Sequence, residues 1–223
     1  MTEADSGSSD GVPTESETPG VRRTQAERSA AMRQRLLDAT IDCLVTYGYA
    51  GTTTKRIAEC AGVTRGAQIH HFKAKEDLVA AAIEHLAQRR AQKAIADVVL
   101  IKDNPDIVTA MLDFLWSLHE GPFFVATIEM WIASRTDRAL AAQIERVEPV
   151  VNAGVFAAII QLLPSQAGQR ELRYAAYTAM DAIRGLLISS FVDGDQARLQ
   201  RRWDRARSRL RGDFEAALAA GSG

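Results

Sequence analysis

The residues of this chain whose types and spacing suit chemistry sit close together. Arg65, Gly66, Ala67, Gln68, His70 and His71 fall within the stretch TTTKRIAECAGVTRGAQIHHFKAKEDL, residues 52–78. An arginine can grip guanine through two parallel hydrogen bonds, and a glutamine can do the same to adenine. Gly66 and Ala67 would let a backbone approach closely, and the Ala67 methyl could touch that of thymine. Thr53, Thr54, His71 and Lys75 can donate to phosphate oxygens, contacts that position a protein on a duplex without reading its sequence. Lys75 also stands where a further helix begins, and the free N–H groups of a helix start attract anions. The set points to double-stranded DNA as a partner.

Other chemistry finds less support. His70 and His71 are neighbours, and adjacent helical residues point about 100° apart, so they share one metal ion poorly. His85 and His119 have no cysteine or paired histidine at ligand spacing. Glu84 and Glu120 precede them, but no Glu-x-x-His motif recurs on two helices, as a di-metal bundle would need. There is no glycine-rich phosphate loop and no nucleophile motif. No metal and no cofactor is expected. Cys43 and Cys60 both lie in apolar-periodic segments and read as buried thiols of a reducing compartment rather than a disulfide framework.

Charge agrees with a polyanionic partner. The formal net charge is -1, but it is unevenly spread. Residues 1–20 hold Glu3, Asp5, Asp10, Glu15 and Glu17 and no base. Residues 21–90 hold twelve lysines and arginines against seven acids. A solvated basic face would show the same excess. No signal peptide or long apolar run is evident, so a soluble, cytoplasmic protein is expected.

The elements that must position these residues are helices. Residues 1–20 are rich in Ser, Gly, Pro and Glu and read as a disordered acidic tail. From about residue 25 to 47, Leu36, Leu37, Ile41, Leu44 and Val45 recur at three- and four-residue spacing, and Gly48 is a fitting stop. Thr53 is a suitable N-cap for a short helix whose Ile57, Ala58 and Ala61 share one face. Gly62 suits a left-handed turn, Val63 can plug the corner, and Thr64 can cap a second short helix. On that helix Ile69 and Phe72 would point to the core. This is helix, glycine turn, helix. Helical stretches follow over 75–102, 106–119, 123–135, 138–163, 169–192 and 196–219, with a kink or break expected near Glu148 ahead of Pro149 and Pro164 as a stop. No alternating strand pattern and no repeat occurs. The chain is expected to be all-α.

Residues 35–78 resemble the DNA-binding domain of TetR-family transcriptional regulators. The likeness rests on the apolar first helix closed by Gly48-Tyr49, then Thr53, Ile57-Ala58, Ala61-Gly62-Val63-Thr64, Gly66, His71-Phe72, Lys75-Glu76 and Leu78. Gln68 stands where that family often has an apolar residue, and Ile69 where it often has an aromatic. The resemblance implies a helix-turn-helix domain over 21–80 and a helical ligand-binding and dimerisation domain over 81–223. It also implies a homodimer, a palindromic operator read in successive major grooves, and a small-molecule effector that weakens DNA binding. Thr64 joins the DNA-facing set. The protein would be a regulator, most simply a repressor, and no enzyme.

Within 81–223, the stretch MLDFLWSLHEGPFFVATIEMW is dense in large side chains. Phe114, Trp116, His119, Phe123, Phe124, Met130 and Trp131 are candidates to line an apolar pocket, with Glu129 and Arg135 as further polar groups; taken singly, most of them read as ordinary core. Tyr174, Tyr177, Met180, Ile183, Leu187 and Phe191 recur at helical spacing and are the candidate dimer interface, with Gly185 allowing close crossing. The last helix carries Arg198, Arg201, Arg202, Arg205, Arg207, Arg209 and Arg211, either a second nucleic-acid surface or a solvated face paired to Asp204, Asp213 and acids of a partner subunit. Arg22, Arg23 and Arg28 could form an arm to DNA or a frayed basic end. Two other classes remain open: a helical small-molecule carrier or enzyme with a similar bend, and a nucleoid-type protein indifferent to sequence.

Overall fold

A computed structural model describes residues 24–101, 104–161 and 169–220. The expected acidic tail over 1–20, Arg22, Arg23 and the stop at Pro164 lie outside these. Among the described residues the regular structure is entirely helical: α1 Gln25–Gly51, α2 Thr54–Cys60, α3 Arg65–His71, α4 Lys75–Ile101, α5 Ile107–Ser117, α6 Pro122–Ser134, α7 Arg138–Gln161, α8 Gln169–Ser190 and α9 Gln196–Ala220. The all-α expectation holds.

Local sequence explains the helix starts. Thr24 opens α1 with a capping box: its hydroxyl accepts from Glu27 N at 3.2 Å and its own N–H donates to the Glu27 carboxylate at 2.7 Å. Leu36, Leu37, Ile41 and Leu44 form the buried face of α1, as their spacing predicts. Gly48 takes φ 66°, ψ 176°, and the chain turns there before its last helical residues. α7 continues through Pro149 without the predicted break. Asp195, just before α9, caps it: its carboxylate accepts from Arg198 N at 2.9 Å.

Two apolar clusters organise the chain. One gathers Leu36, Leu37 and Leu44 of α1, Ile57 of α2, Leu78, Val79 and Leu86 of α4, Met130 of α6 and Ile144 of α7. The other joins α5, the start of α6, the end of α7, α8 and α9, with Trp203, Phe214 and Leu172 fully enclosed. Burying side chains of this size stabilises by roughly 1.5–3 kcal/mol each. α2 and α3 are too short to persist alone. They stand because Ile57, Ala61 and Phe72 are buried in the cluster to which α1 and α4 contribute. α4 contributes to both clusters, so it ties the short helices to the rest of the bundle.

Of the seven arginines on α9, Arg198, Arg207 and Arg211 form ion pairs within their own chain. Arg207 bonds Asp113 at 2.7 Å and Asp204 at 3.3 Å; Arg211 bonds Asp106 at 2.6 Å and Glu215 at 2.7 Å. The salt bridges seen among the described residues do not include Asp213. Asp113 and Asp106, on and just before α5, hold α9 instead.

Candidate nucleic-acid interface and effector cavity

α2 and α3 are built as the sequence predicts. The Thr53 hydroxyl accepts from Arg56 N at 3.2 Å and the Thr64 hydroxyl from Ala67 N at 3.2 Å. Each hydroxyl still has its own hydrogen to donate. Between the helices Gly62 takes φ 60°, and Val63 N donates to Ala58 O at 3.0 Å. The Arg35 guanidinium reaches across from α1 to the carbonyls of Ala61 and Gly62, fixing the turn.

The register of α3 differs from the sequence reading in two places. Gln68 is fully buried, and its side-chain amide donates to Phe72 O at 2.5 Å. It cannot reach a base from that position. Ile69, expected in the core, is 46% exposed. The physical reason is the i, i+4 relation: Phe72 is buried, so the residue four before it faces inward too. The outward residues are Arg65, Gly66, Ile69 and His70, with Ala67 and His71 half-covered. Ile69 offers an apolar surface that composition alone did not suggest.

Lys75 also differs from a free phosphate contact. Its ammonium donates to Tyr49 O at 2.7 Å and lies 3.8 Å from the centre of the Tyr49 ring. Burial lowers its pKa from the ordinary lysine value. Thr54 is half-buried. Arg56, not singled out from sequence, stacks over Tyr47 at 4.7 Å, and Tyr47 is itself exposed. Cys60 is exposed, contrary to the reading of two buried thiols, with its sulfur 3.5 Å from that of buried Cys43. Burial and the Cys60 neighbour push the Cys43 thiol up to about 12.

The end of α1 meets α6 and the start of α7 through Tyr49. Its N–H donates to Glu129 Oε2 at 3.3 Å and its hydroxyl to Asp137 Oδ2 at 3.0 Å. Burial and the Asp137 carboxylate raise the phenol to about 12. Glu129 therefore serves this joint and lines the groove beside Tyr49, and Arg135 is exposed.

A cavity of about 50 Å³ lies between α4, α6, α7 and α8. Of the aromatic and methionine candidates, Met130 and Trp131 line it. Phe114, Trp116, His119, Phe123 and Phe124 do not. Trp116 stacks on Trp203 at 4.6 Å, Phe124 packs against His119 at 5.9 Å, and Phe123 joins the α1 cluster. Phe114 is buried core at a separate groove beside α4. His119 stands one layer behind the cavity, its Nε2 3.3 Å from Arg90 Nη2. The sequence reading missed Arg90, Arg184, Glu148, Thr127 and Asn152, which bring the polar groups. They come from four helices and have no local spacing that could announce them.

The proposed dimer face is corrected in part. Met180, Ile183 and Leu187 are buried within the chain, in the cluster that α8 shares with α5 and α9. They cannot meet a second copy as placed. Tyr174, Tyr177 and Phe191 are exposed, and Ile188 and Val192, not singled out before, extend that face. α8 carries apolar residues on two sides, and spacing alone did not say which side is covered.

No helix among the described residues is long and apolar enough to cross a membrane. No group of three metal-ligating side chains comes together among them.

Short capped helices around a glycine turn, held on a larger helical body, define a helix-turn-helix DNA-binding protein. Comparison with known proteins agrees. Residues 36–82 match the family model described as bacterial regulatory proteins, tetR family. The chain is 29% identical over 181 residues to the HTH-type transcriptional regulator CymR of Pseudomonas putida, covering 81% of this chain and 89% of that protein. It is 40% identical over 124 residues to the HTH-type transcriptional repressor AcnR of Corynebacterium glutamicum, covering 51% of this chain and 64% of that protein. In fold it is similar to a TetR transcription regulator from Haloarcula marismortui, with a TM-score of 0.62 at 21% identity over 85% of this chain and 99% of that one. Residues 36–82 thus form a TetR-family DNA-binding domain, and the chain is a DNA-binding transcriptional regulator. Its relatives act as regulators, a role that involves no catalysis.

Proposed function

We propose that two copies of this chain bind a palindromic operator as a repressor and leave it when a small molecule occupies the helical body. The observation that carries the reading is the outward face of α3, where Arg65, Gly66, Ile69 and His70 stand free of the core. Arg65 would read a base edge, and Ile69 a thymine methyl. Thr53 and Thr64 would donate their hydroxyl hydrogens to phosphates, with Thr54 and His71 at the margin. Gln68 holds α3 in place from inside. Lys75 closes the joint with Tyr49.

On this reading residues 21–80 form the DNA-binding unit and 81–223 the effector-binding and dimerisation unit, in a cytoplasmic protein without enzymatic activity. Tyr174, Tyr177, Ile188 and Phe191 would meet their copies across a two-fold axis, which matches a palindromic site. The half-sites would lie one helical turn of DNA apart, about 34–36 Å, or a multiple of it. The cavity beside α4 is the effector site, because α4 starts four residues after α3 ends. Effector and operator would then oppose each other by typically 1–3 kcal/mol.

The test is selection of bound sites from random DNA by the full-length protein, with the selected site titrated at two salt concentrations. An enriched palindrome bound about 10³-fold or more tighter than random DNA is expected. Binding that merely weakens with salt, with no preferred sequence, would refute the reading.

A further inference from the structure

The cavity between α4, α6, α7 and α8 contains two guanidinium groups that the chain leaves incompletely bonded. Arg90 of α4 and Arg184 of α8 both line it, and the Nε of each is buried without a hydrogen-bond partner among the described residues. Orphaned donors of this kind are costly in a folded interior, more so when charged. Their persistence at one cavity is the signature of a group that arrives from outside.

The surroundings define that group. His119 Nδ1 lies 2.8 Å from Leu115 O. A carbonyl only accepts, so Nδ1 carries the proton and Nε2 presents a lone pair to Arg90 Nη2. A neutral imidazole thus orients Arg90 without cancelling its charge. Arg184 lies 4.9 Å from the centre of the Trp131 ring, and pairs at 3.3 Å with Asp181, whose side chain is mostly in solvent. The carboxylate on the cavity wall is that of Glu148. Of the side chains that line the wall itself, two guanidiniums face one carboxylate, while Asp181 meets Arg184 from the solvent side; the lining is net cationic, which suits a monoanion. The rest of the lining is apolar: Ile83, Leu86, Met130, Ile144, Val147 and Val151.

We propose that this cavity binds a small monocarboxylate with an apolar body, an alkyl or aryl acid, its carboxylate held between Arg90 and Arg184 and its body laid against the α4–α7 wall. The proposal rests on the reading of this cavity as the effector site. Planar guanidinium and carboxylate match through paired hydrogen bonds, which a neutral group cannot reproduce. At about 50 Å³ the cavity has less room than a ring needs. The acid enters by parting α4 from α7, and α4 carries α3 with it. Size and charge together make the ligand a lever on the DNA-reading helix.

The test uses the full-length protein without DNA. Benzoate, 4-ethylbenzoate, hexanoate and octanoate are each compared with their primary amides, and with inorganic phosphate, by thermal shift and calorimetry. At least one acid is expected to bind and raise the melting temperature. Its amide should bind at least about tenfold more weakly, as should the acid to Arg90→Gln or Arg184→Gln. Arg184→Lys, which keeps the charge but lacks the Nε donor, should recover part of the loss. Amides equal to acids, acid binding unchanged in both glutamine variants, or no binding by any acid up to about 5 mM would each overturn the proposal. Because DNA is absent, these failures leave the operator reading standing. An acid that binds at Arg90 and Arg184 yet leaves the operator complex intact would instead contradict the inducer reading alone.

Discussion

Gly48→Ala strikes the joint between the DNA-reading helices and the helical body, and its cost can be worked from the structure. Gly48 sits at φ 66°, ψ 176°, a region that is essentially glycine-only and costs other residues about 1–3 kcal/mol. A Cβ built there would lie 2.8 Å from Glu129 Oε2, so the carboxylate must move. Moving it breaks the 3.3 Å hydrogen bond from Tyr49 N, worth about 1 kcal/mol at that length. Against this, alanine restricts the unfolded chain and returns about 0.4–1 kcal/mol. The net is a loss of about 1–3.5 kcal/mol. Urea denaturation at fixed protomer concentration should show the midpoint falling with the slope unchanged. Gly154→Ala, in mid-helix with open space around its Cβ position, should instead stabilise by up to about 1 kcal/mol. In a Glu129→Ala background, Gly48→Ala should keep its backbone cost and lose the contact cost. A Gly48→Ala protein within about 0.5 kcal/mol of the parent would refute the reasoning.

The remaining predictions concern charge, assembly and the inner side of α3. Burial and the neighbouring Arg90 charge hold the His119 imidazole at about 3, whereas the unfolded chain takes up that proton near 6.5. The stability present above pH 6.5 is therefore lost as pH falls toward 3, at about 1.4 kcal/mol per pH unit from this residue; His119→Gln should flatten the slope between about pH 6 and 5, and parallel profiles would contradict the assignment. Ile188→Asp, placed on the exposed face of α8, should yield a monomer by sedimentation and weaken operator binding about tenfold or more, since the half-sites lose their linkage. A variant that stays dimeric would move the interface elsewhere. Gln68→Ala should cost about 1–3 kcal/mol of stability through the lost bond to Phe72 and the space it leaves, as read by thermal unfolding; an unaffected midpoint would mean that the buried amide contributes nothing.

How far the sequence could be read varied with the kind of signal. Thr53, Gly62 and Thr64 announce α2 and α3 because caps and positive-φ turns are local chemistry. The facing of α3 was less legible. A helix of seven residues has too few apolar positions to fix its own register, and a glutamine reads as outward until its amide is seen bonded to the Phe72 carbonyl. The fixed point was Phe72, from which Gln68 follows at i, i+4. In α8, Met180, Ile183 and Leu187 obeyed helical spacing as well as Tyr174 and Tyr177 did, but burial separates the two sets. The aromatic run over 111–131 proved mainly core. The charged cavity was illegible for a different reason: Arg90, Glu148 and Arg184 meet only through the packing of α4, α7 and α8.

The central claim is that the outward face of α3 reads DNA sequence. The measurement that tests it most directly is site selection from random DNA run in parallel with the parent protein, Arg65→Ala and Gln68→Ala, each checked for folding. The account predicts an enriched palindrome for the parent. Arg65→Ala should lose preference at one position of each half-site, with about 1–3 kcal/mol lost at the parent's site. Gln68→Ala should select the parent's palindrome. A palindrome unchanged by Arg65→Ala, or altered base by base by Gln68→Ala, would contradict the account.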